Sequence, residues 1–191
     1  MNIGVGNGML EKLAVAKEVD IWSLDPNERA IEYLRTALSL GEKAKVGYCQ
    51  SMPFSDEDFD VVVMSEVLEH LDVEVFDATL AEVKRVLRPG GRFIGTVPAR
   101  EILENSSVVC PQCGIKFHRW GHKRSFDVKT LGIALERYLL VDAVHEKFFI
   151  DWKSVGLWRK LQGLIKKFLS WRGVGTYGIC RNIFFSAHKS I

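Results

Sequence analysis

The chain has 191 residues, 47% of them apolar and 26% charged, which suits one globular domain with a sizeable core. No apolar run is long enough to cross a bilayer and no charged-then-apolar leader opens the chain, so a cytoplasmic location is the expectation. Four cysteines, two of them in one Cys-x-x-Cys pair, argue against a disulfide scaffold. The net charge of +2 hides an asymmetry. Residues 1–109 carry 11 Lys+Arg against 19 Asp+Glu, and residues 110–191 carry 15 against 5. A basic second half attracts phosphate, an anionic glycan or a membrane surface, or is simply a solvated face.

In chain order, Met1 to Ile3 read as the stub of a first strand, followed by a short helix from Met9 to Lys17. Val19 to Leu24 read as a second strand. Pro26 then stands where a first helical turn accepts it, and Ala30, Ile31, Leu34, Ala37 and Leu38 recur at helical spacing. Lys45 to Cys49 suggest a third strand. The run Phe59 to Met64 is nearly continuous in apolar residues, as in a strand covered on both faces. A helix over about 75–86 stops before Pro89-Gly90-Gly91, and Arg92 to Val97 make a fifth strand. Residues 101–124 break the pattern with two cysteines and two histidines. Asp127 caps a helix to about Tyr138, Leu139 to Phe149 resume strand character, and Ile179 to Ala187 form a last strand. Alternation of this kind predicts βαβ units around a largely parallel sheet.

Gly4-Val5-Gly6-Asn7-Gly8 after the first strand and Asp25 after the second are the most informative pairing. A glycine turn lets backbone approach a ligand closely, and a carboxylate at the tip of the next strand accepts the hydroxyls of a ribose. The third glycine falls one residue short of the dinucleotide fingerprint, where Met9 stands. Asp25 also suits a helix N-cap, since it precedes Pro26. Ser65 and Glu66 lie at the carboxyl edge of the fourth strand, where open α/β sheets bind ligands.

These stretches, together with Met52-Pro53-Phe54 before Phe59-Asp60-Val61-Val62, Glu66-Val67-Leu68-Glu69-His70, and Arg85-Val86-Leu87-Arg88-Pro89-Gly90-Gly91, resemble class I S-adenosylmethionine-dependent methyltransferases, in particular the ubiquinone-biosynthesis-like small-molecule group. The likeness is clear over residues 3–98. It implies a Rossmann-like, doubly wound, seven-stranded, mostly parallel α/β sheet in a single domain over residues 1–191. It also implies an S-adenosylmethionine site built from Gly4, Gly6, Asn7, Gly8, Asp25, Pro26, Gln50, Ser51, Met52, Ser65 and Glu66. Gln50, Ser51 and Met52 would flank the adenine, although no acidic residue stands near Tyr48 to take its amino group. His70, near the same edge, is a candidate general base, as is His122, whose segment His122-Lys123-Arg124-Ser125-Phe126 looks like metal-free relatives at this place. Such enzymes hold a central first strand, and only three residues precede the glycine turn here, so a shortened N-terminus is expected.

Cys110-Pro111-Gln112-Cys113-Gly114 followed by His118 and His122 has the spacing Cys-x2-Cys-x4-His-x3-His. Two thiolates and two imidazoles close a tetrahedral Zn²⁺ shell with no open position, so the expectation over 101–124 is a structural zinc knuckle walling an acceptor pocket. Alternatives are a redox dithiol, or His122 serving the active site instead. Over 152–172, Trp152, Trp158, Leu161, Ile165 and Phe168 interleave with Lys153, Arg159, Lys160, Lys166 and Lys167. This predicts a basic amphipathic helix that packs on the domain or touches an anionic membrane, with nucleic acid the weaker partner. The functional expectation is methyl transfer to a small-molecule, glycan or lipid-linked acceptor. The competing expectations are a non-catalytic S-adenosylmethionine-binding protein, and a zinc and basic-helix adaptor.

Overall fold

The computed structural model describes residues 1–148 and 181–191. The expected helix over 152–172 lies outside the described residues. Among the described residues, four α-helices and nine strands follow one another. They are β1 (Asn2–Ile3), α1 (Met9–Val15), β2 (Ser23–Asp25), α2 (Glu28–Ala37), β3 (Ala44–Val46), β4 (Phe59–Ser65), α3 (Val73–Val86), β5 (Leu87–Pro98), β6 (Ser107–Val109), β7 (Lys116–His118), α4 (Val128–Glu136), β8 (Leu140–Phe148) and β9 (Arg181–His188). Seven strands form one sheet in the order β3-β2-β1-β4-β5-β9-β8, as the doubly wound reading expects. Strands β1 to β5 run parallel to one another, and β9 inserts antiparallel between β5 and β8. From β1 the chain moves outward to β2 and β3, then returns to the other side of β1 as β4. The carboxyl ends of β1 and β4 therefore part at a topological switch point, where a crevice opens.

Local chemistry explains the elements. Asn27 caps α2 by accepting from the N–H groups of Arg29 and Ala30 at 3.0 and 3.3 Å, and Ile31 and Leu34 then bury one helix face. Asp127 accepts from Thr130 N–H at 2.7 Å while the Thr130 hydroxyl accepts from Asp127 N–H at 3.0 Å, a reciprocal cap that starts α4 where the sequence places it. Phe76, Leu80, Val83 and Val86 on α3 pack with Phe59, Val62, Met64, Phe93 and Phe185 of the sheet in the main core. Among the described residues no helix is long and apolar enough to cross a membrane.

Strand β2 is three residues long, against the predicted span from Val19 to Leu24. Its ladder with β1 pairs Ser23 and Leu24 with Asn2 and Ile3. Val19 stays exposed, just after Glu18 at φ +56°. The ladder between β1 and β4 is continued by Met1, whose carbonyl accepts from Val63 N–H at 2.8 Å and whose amine donates to the Val61 carbonyl at 2.7 Å. Burial pushes that amine down to about 6. Under the glycine turn, fully buried Glu11 of α1 accepts from the Asn2 side-chain amide at 2.7 Å and the Ser23 hydroxyl at 3.0 Å. One carboxylate thereby joins β1, β2 and α1.

Candidate functional site

A cavity of about 290 Å³ opens at the switch point. Ile3 and Gly4 border it from the end of β1, Leu24 and Pro26 from the end of β2, and Gly47 to Gln50 from the loop after β3. Val67, His70, Leu71 and Asp72 close it from the loop after β4, with Val75 of α3 and Lys123 from the insertion. Gly4 is required at this point. Its φ is +84°, and a Cβ there would lie 2.4 Å from Cγ2 of Val67. The turns after β1 and β4 thus touch across the cleft floor.

Asp25 stands between Leu24 and Pro26, both of which line the cavity. Its Oδ2 accepts from Val5 N–H at 2.7 Å, inside the glycine turn, and its Oδ1 accepts from Asn27 N–H at 2.8 Å. A carboxylate has about four acceptor positions, so each oxygen keeps one lone pair. Two lone pairs on one rigid carboxylate match two adjacent hydroxyls. The cap of α2 belongs to Asn27, which removes the alternative reading of Asp25 and shifts the helix start two residues beyond Pro26.

Of the other residues read from the sequence, Gln50 borders the cleft with Gly4 and Pro26. Gly6, Asn7 and Gly8 continue the same turn, and Asn7 Oδ1 accepts from Met9 N–H at 3.2 Å. Met52 departs from expectation. Its side chain is in the core and its N–H donates to Glu82 at 2.7 Å, because Arg85 holds Glu82 at 2.6 and 2.8 Å and the carbonyls of Met52 and Phe54 at 3.1 and 2.8 Å. Ser51 is exposed and closes a turn to the Tyr48 carbonyl at 3.1 Å. Neither of the two borders the cavity, and Tyr48 and Cys49 do so instead. Ser65 and Glu66 end β4 outside the cavity lining. Glu66, at φ +54°, accepts from the Thr96 hydroxyl at 2.8 Å and the Asn182 amide at 2.7 Å, tying β4 to β5 and β9. Tyr48 and Asp72 had no motif to mark them, and Lys123 only its place in the segment His122 to Phe126. Asp72 and Lys123 pair at 2.6 Å across the rim, joining elements that only the fold brings together.

The two histidines read as candidate bases meet at that rim, with ring centroids 4.8 Å apart. Backbone bonds from Lys123 and Arg124 N–H to the Glu69 carbonyl, at 2.8 and 3.3 Å, fasten the insertion to the turn after β4. His70 Nδ1 lies 3.3 Å from the Gly121 carbonyl, which has no proton to give, so Nδ1 carries the hydrogen. His122 Nδ1 bonds to the Glu101 carboxylate, and by the same reasoning donates to it. His118 Nδ1 accepts from His122 N–H at 3.0 Å, leaving its Nε2 facing Glu101 at 3.3 Å. Burial lowers the pKa of His70, and the neighbouring His122 lowers it further. Burial pushes the Glu69 carboxyl up to about 8, with Glu66 and Glu101 adding to the effect.

The Cys110, Cys113, His118 and His122 shell does not assemble in this structure. Among the described residues, the two clusters of three or more metal-ligand side chains are Glu69, His70, His122 and Glu101, His118, His122, and neither includes a cysteine. The reason is the β6–β7 hairpin, in which Ser107 pairs with His118 and Val109 with Lys116. The thiols sit on its tip turn, closed by Cys110 N–H to Ile115 O and Gly114 N–H to Cys110 O at 2.9 Å each. His118 stands at its base, three extended residues or about 10 Å beyond Ile115. At the tip, the N–H groups of Cys113 and Gln112 lower the Cys110 thiol pKa, and the Cys113 side chain adds to that.

Residues 1–95 match the family described as "Methyltransferase domain". A methyltransferase of Mycobacterium tuberculosis without assigned substrate is 32% identical over 93 residues, 49% of this chain and 37% of that protein. The ubiquinone/menaquinone biosynthesis C-methyltransferase of Cupriavidus metallidurans is 34% identical over 101 residues, 49% of this chain and 40% of its own. The chain thus spans well under half the length of the curated relatives it matches. Among solved structures, an S-adenosylmethionine-dependent methyltransferase from Methanosarcina mazei superposes with a TM-score of 0.67 at 19% identity, covering 100% of this chain and 91% of that one. The Burkholderia thailandensis 1,6-didemethyltoxoflavin N1-methyltransferase, solved with S-adenosylhomocysteine, gives 0.65 at 15% identity, covering 100% and 70%. At those identities the likeness is one of fold.

Proposed function

We propose, from the premise that residues 1–95 of this chain belong to the class I S-adenosylmethionine-dependent methyltransferases, that the cleft between β1 and β4 binds S-adenosylmethionine and that its methyl passes to an acceptor entering beside His70. One observation carries the reading: the glycine turn and the Asp25 carboxylate are joined at 2.7 Å beside the cavity, so one nucleoside sugar reaches both. The cofactor, when bound, supplies an electrophilic methyl on a positively charged sulfur.

The chain's own contribution is mainly placement. Asp25 takes the sugar hydroxyls through its two spare lone pairs. Gly4 keeps the floor free of side chain, and Pro26, Tyr48 and Gln50 border the base end. His70 faces the cavity with Nδ1 held by Gly121, which leaves Nε2 as the proton-accepting nitrogen. An acceptor whose reacting atom carries a proton suits that rim, from the small-molecule, glycan or lipid-linked classes. Calorimetry with S-adenosylmethionine and S-adenosylhomocysteine tests the binding half of the proposal, and methyl-label transfer across a panel of hydroxyl, carboxyl and amine acceptors tests the rest. Absence of binding defeats the whole reading, and binding without transfer to any acceptor defeats its catalytic half.

A further inference from the structure

We propose that Glu69, His70 and His122 form a site for one divalent first-row transition-metal cation at the rim of the cleft. The argument begins with proton counting. His70 spends its Nδ1 hydrogen on the Gly121 carbonyl and His122 spends its own on Glu101, so both Nε2 atoms carry bare lone pairs. Between them stands the Glu69 carboxylate, 1% exposed, with neither oxygen hydrogen-bonded among the described residues. Its Oε1 is 3.9 Å from His70 Nε2, and the ligand atoms of the three residues all lie within 4.8 Å of one another. Three ligand groups converge, and neither Glu69 oxygen has a hydrogen-bond partner among the described residues. Buried polar groups are almost always satisfied, and a cation satisfies all three at once.

The supporting groups fit the same reading. Ligating histidines characteristically give their second nitrogen to a carbonyl or a carboxylate, which fixes the tautomer and raises ligand basicity. Gly121 and Glu101 fill those two roles, and His118 Nε2 lies 3.3 Å from Glu101. Ligand distances of about 2.0–2.2 Å place ligand atoms roughly 3 to 4 Å apart, so the cluster closes with small side-chain rotations. Two imidazoles and one carboxylate suit Zn²⁺, Co²⁺ or Fe²⁺ and do not call for thiolate. This set shares only His122 with the Cys2His2 arrangement and draws its other ligands from the turn after β4. Three protein ligands leave a coordination position open, and His70 lines the cavity. There a cation would bind an acceptor oxygen and ease its deprotonation, taking over the base role of His70, whose Nε2 lone pair it occupies. That role rests on the methyltransferase reading, whereas the binding of the cation does not.

The test uses the full chain, stripped with chelator, dialysed against Co²⁺ or Zn²⁺, and measured for metal content and absorbance. The expected result is one Co²⁺ per chain without thiolate-to-cobalt charge-transfer absorption. Two exchangeable imidazole N–H resonances should shift in the Co²⁺ form of the unmodified protein, a readout that needs no variant. Glu69→Gln keeps the side chain's size and should weaken Co²⁺ binding by about 100-fold or more, as should His122→Ala. The Cys110→Ser/Cys113→Ser pair should leave binding within about 3-fold. No bound metal in the unmodified chain overturns the proposal. So does loss of metal in the double cysteine variant, and so does full retention in a folded Glu69→Gln protein. None of these readouts involves S-adenosylmethionine, so failure here is separate from failure of the methyltransferase reading.

Discussion

Asp25→Asn is the sharpest perturbation of the proposed cofactor site. In the native chain both carboxylate oxygens are engaged by backbone donors, Val5 N–H at 2.7 Å and Asn27 N–H at 2.8 Å, and each retains one acceptor position. An asparagine keeps one oxygen only. If that oxygen stays on Asn27, the new amide faces Val5 N–H donor to donor, and the turn loses its tie to β2. The fold then loses one charge-assisted hydrogen bond, about 1.5–3 kcal/mol at most. For the ligand, one sugar hydroxyl loses its acceptor and the other trades a charged acceptor for a neutral one, together about 2–4 kcal/mol, or roughly 30- to 1000-fold in affinity. Calorimetry with S-adenosylhomocysteine measures the loss, and thermal unfolding without ligand separates it from damage to the fold. A second ligand sharpens the comparison. An analogue lacking the 2′-hydroxyl should bind the native chain poorly and lose much less on going to the variant, since the interaction is already gone. A folded Asp25→Asn protein that binds S-adenosylhomocysteine within about 3-fold of the native chain would refute the convergence argument.

Asn27→Ala removes the cap of α2 and should cost about 1 kcal/mol in urea unfolding while leaving S-adenosylhomocysteine affinity almost unchanged, which separates capping from ligand binding two residues apart. Gly4→Ala forces a side chain into φ +84° and against Val67 Cγ2 at 2.4 Å, so a loss of about 2–4 kcal/mol is expected, partly restored by Val67→Ala. Denaturant midpoints check this, and an unchanged midpoint for Gly4→Ala would show that the turn relaxes freely. Arg85 holds the Glu82 carboxyl below its ordinary value, followed by the bond from Met52 N–H. Its contribution is therefore fully present above about pH 4.5 and lost as pH falls through the lowered native value. The stability difference between the native chain and Glu82→Gln should shrink on acidification from pH 7, and a constant difference would dissociate Glu82 from the clamp.

What the sequence made legible was whatever depends on near neighbours. The nearly continuous apolar run at Phe59 to Met64 became β4, a central strand with Phe59, Val62 and Met64 buried, although Val61 stays 39% exposed and the expected cover on both faces is incomplete among the described residues. Asp127 with Thr130 started α4 because a reciprocal cap is complete within four residues. Asp25 meets the glycine turn for a similar reason, since it ends β2 beside β1 and accepts from Val5 N–H. Met52 eluded the same reasoning. Its amide is claimed by Glu82 and its side chain by the core, through a clamp from α3 that begins 30 residues downstream. Tyr48 took its place at the cleft because the turn to Ser51 leaves the ring outside, 63% exposed.

The cysteine–histidine stretch marks where reading by spacing stops. Spacing counts residues but not the path between them, and a hairpin spends the five residues from Cys113 to His118 travelling from its tip back to its base. The thiols and the imidazoles, adjacent in sequence, are thereby held apart, while Glu69 and His122, 53 positions apart, share one side-chain cluster. No periodicity marks that second pairing, because it is made by the docking of one loop on another through the Glu69 carbonyl. What a sequence does record is the residual chemical demand: a Glu-His pair after a central strand and a histidine in a segment poor in apolar residues are costly to bury without a partner. Their unpartnered acceptors in the folded chain are the same demand expressed in three dimensions, which is why the metal-content measurement on Glu69→Gln and on the cysteine pair discriminates between a shell chosen by spacing and one chosen by topology.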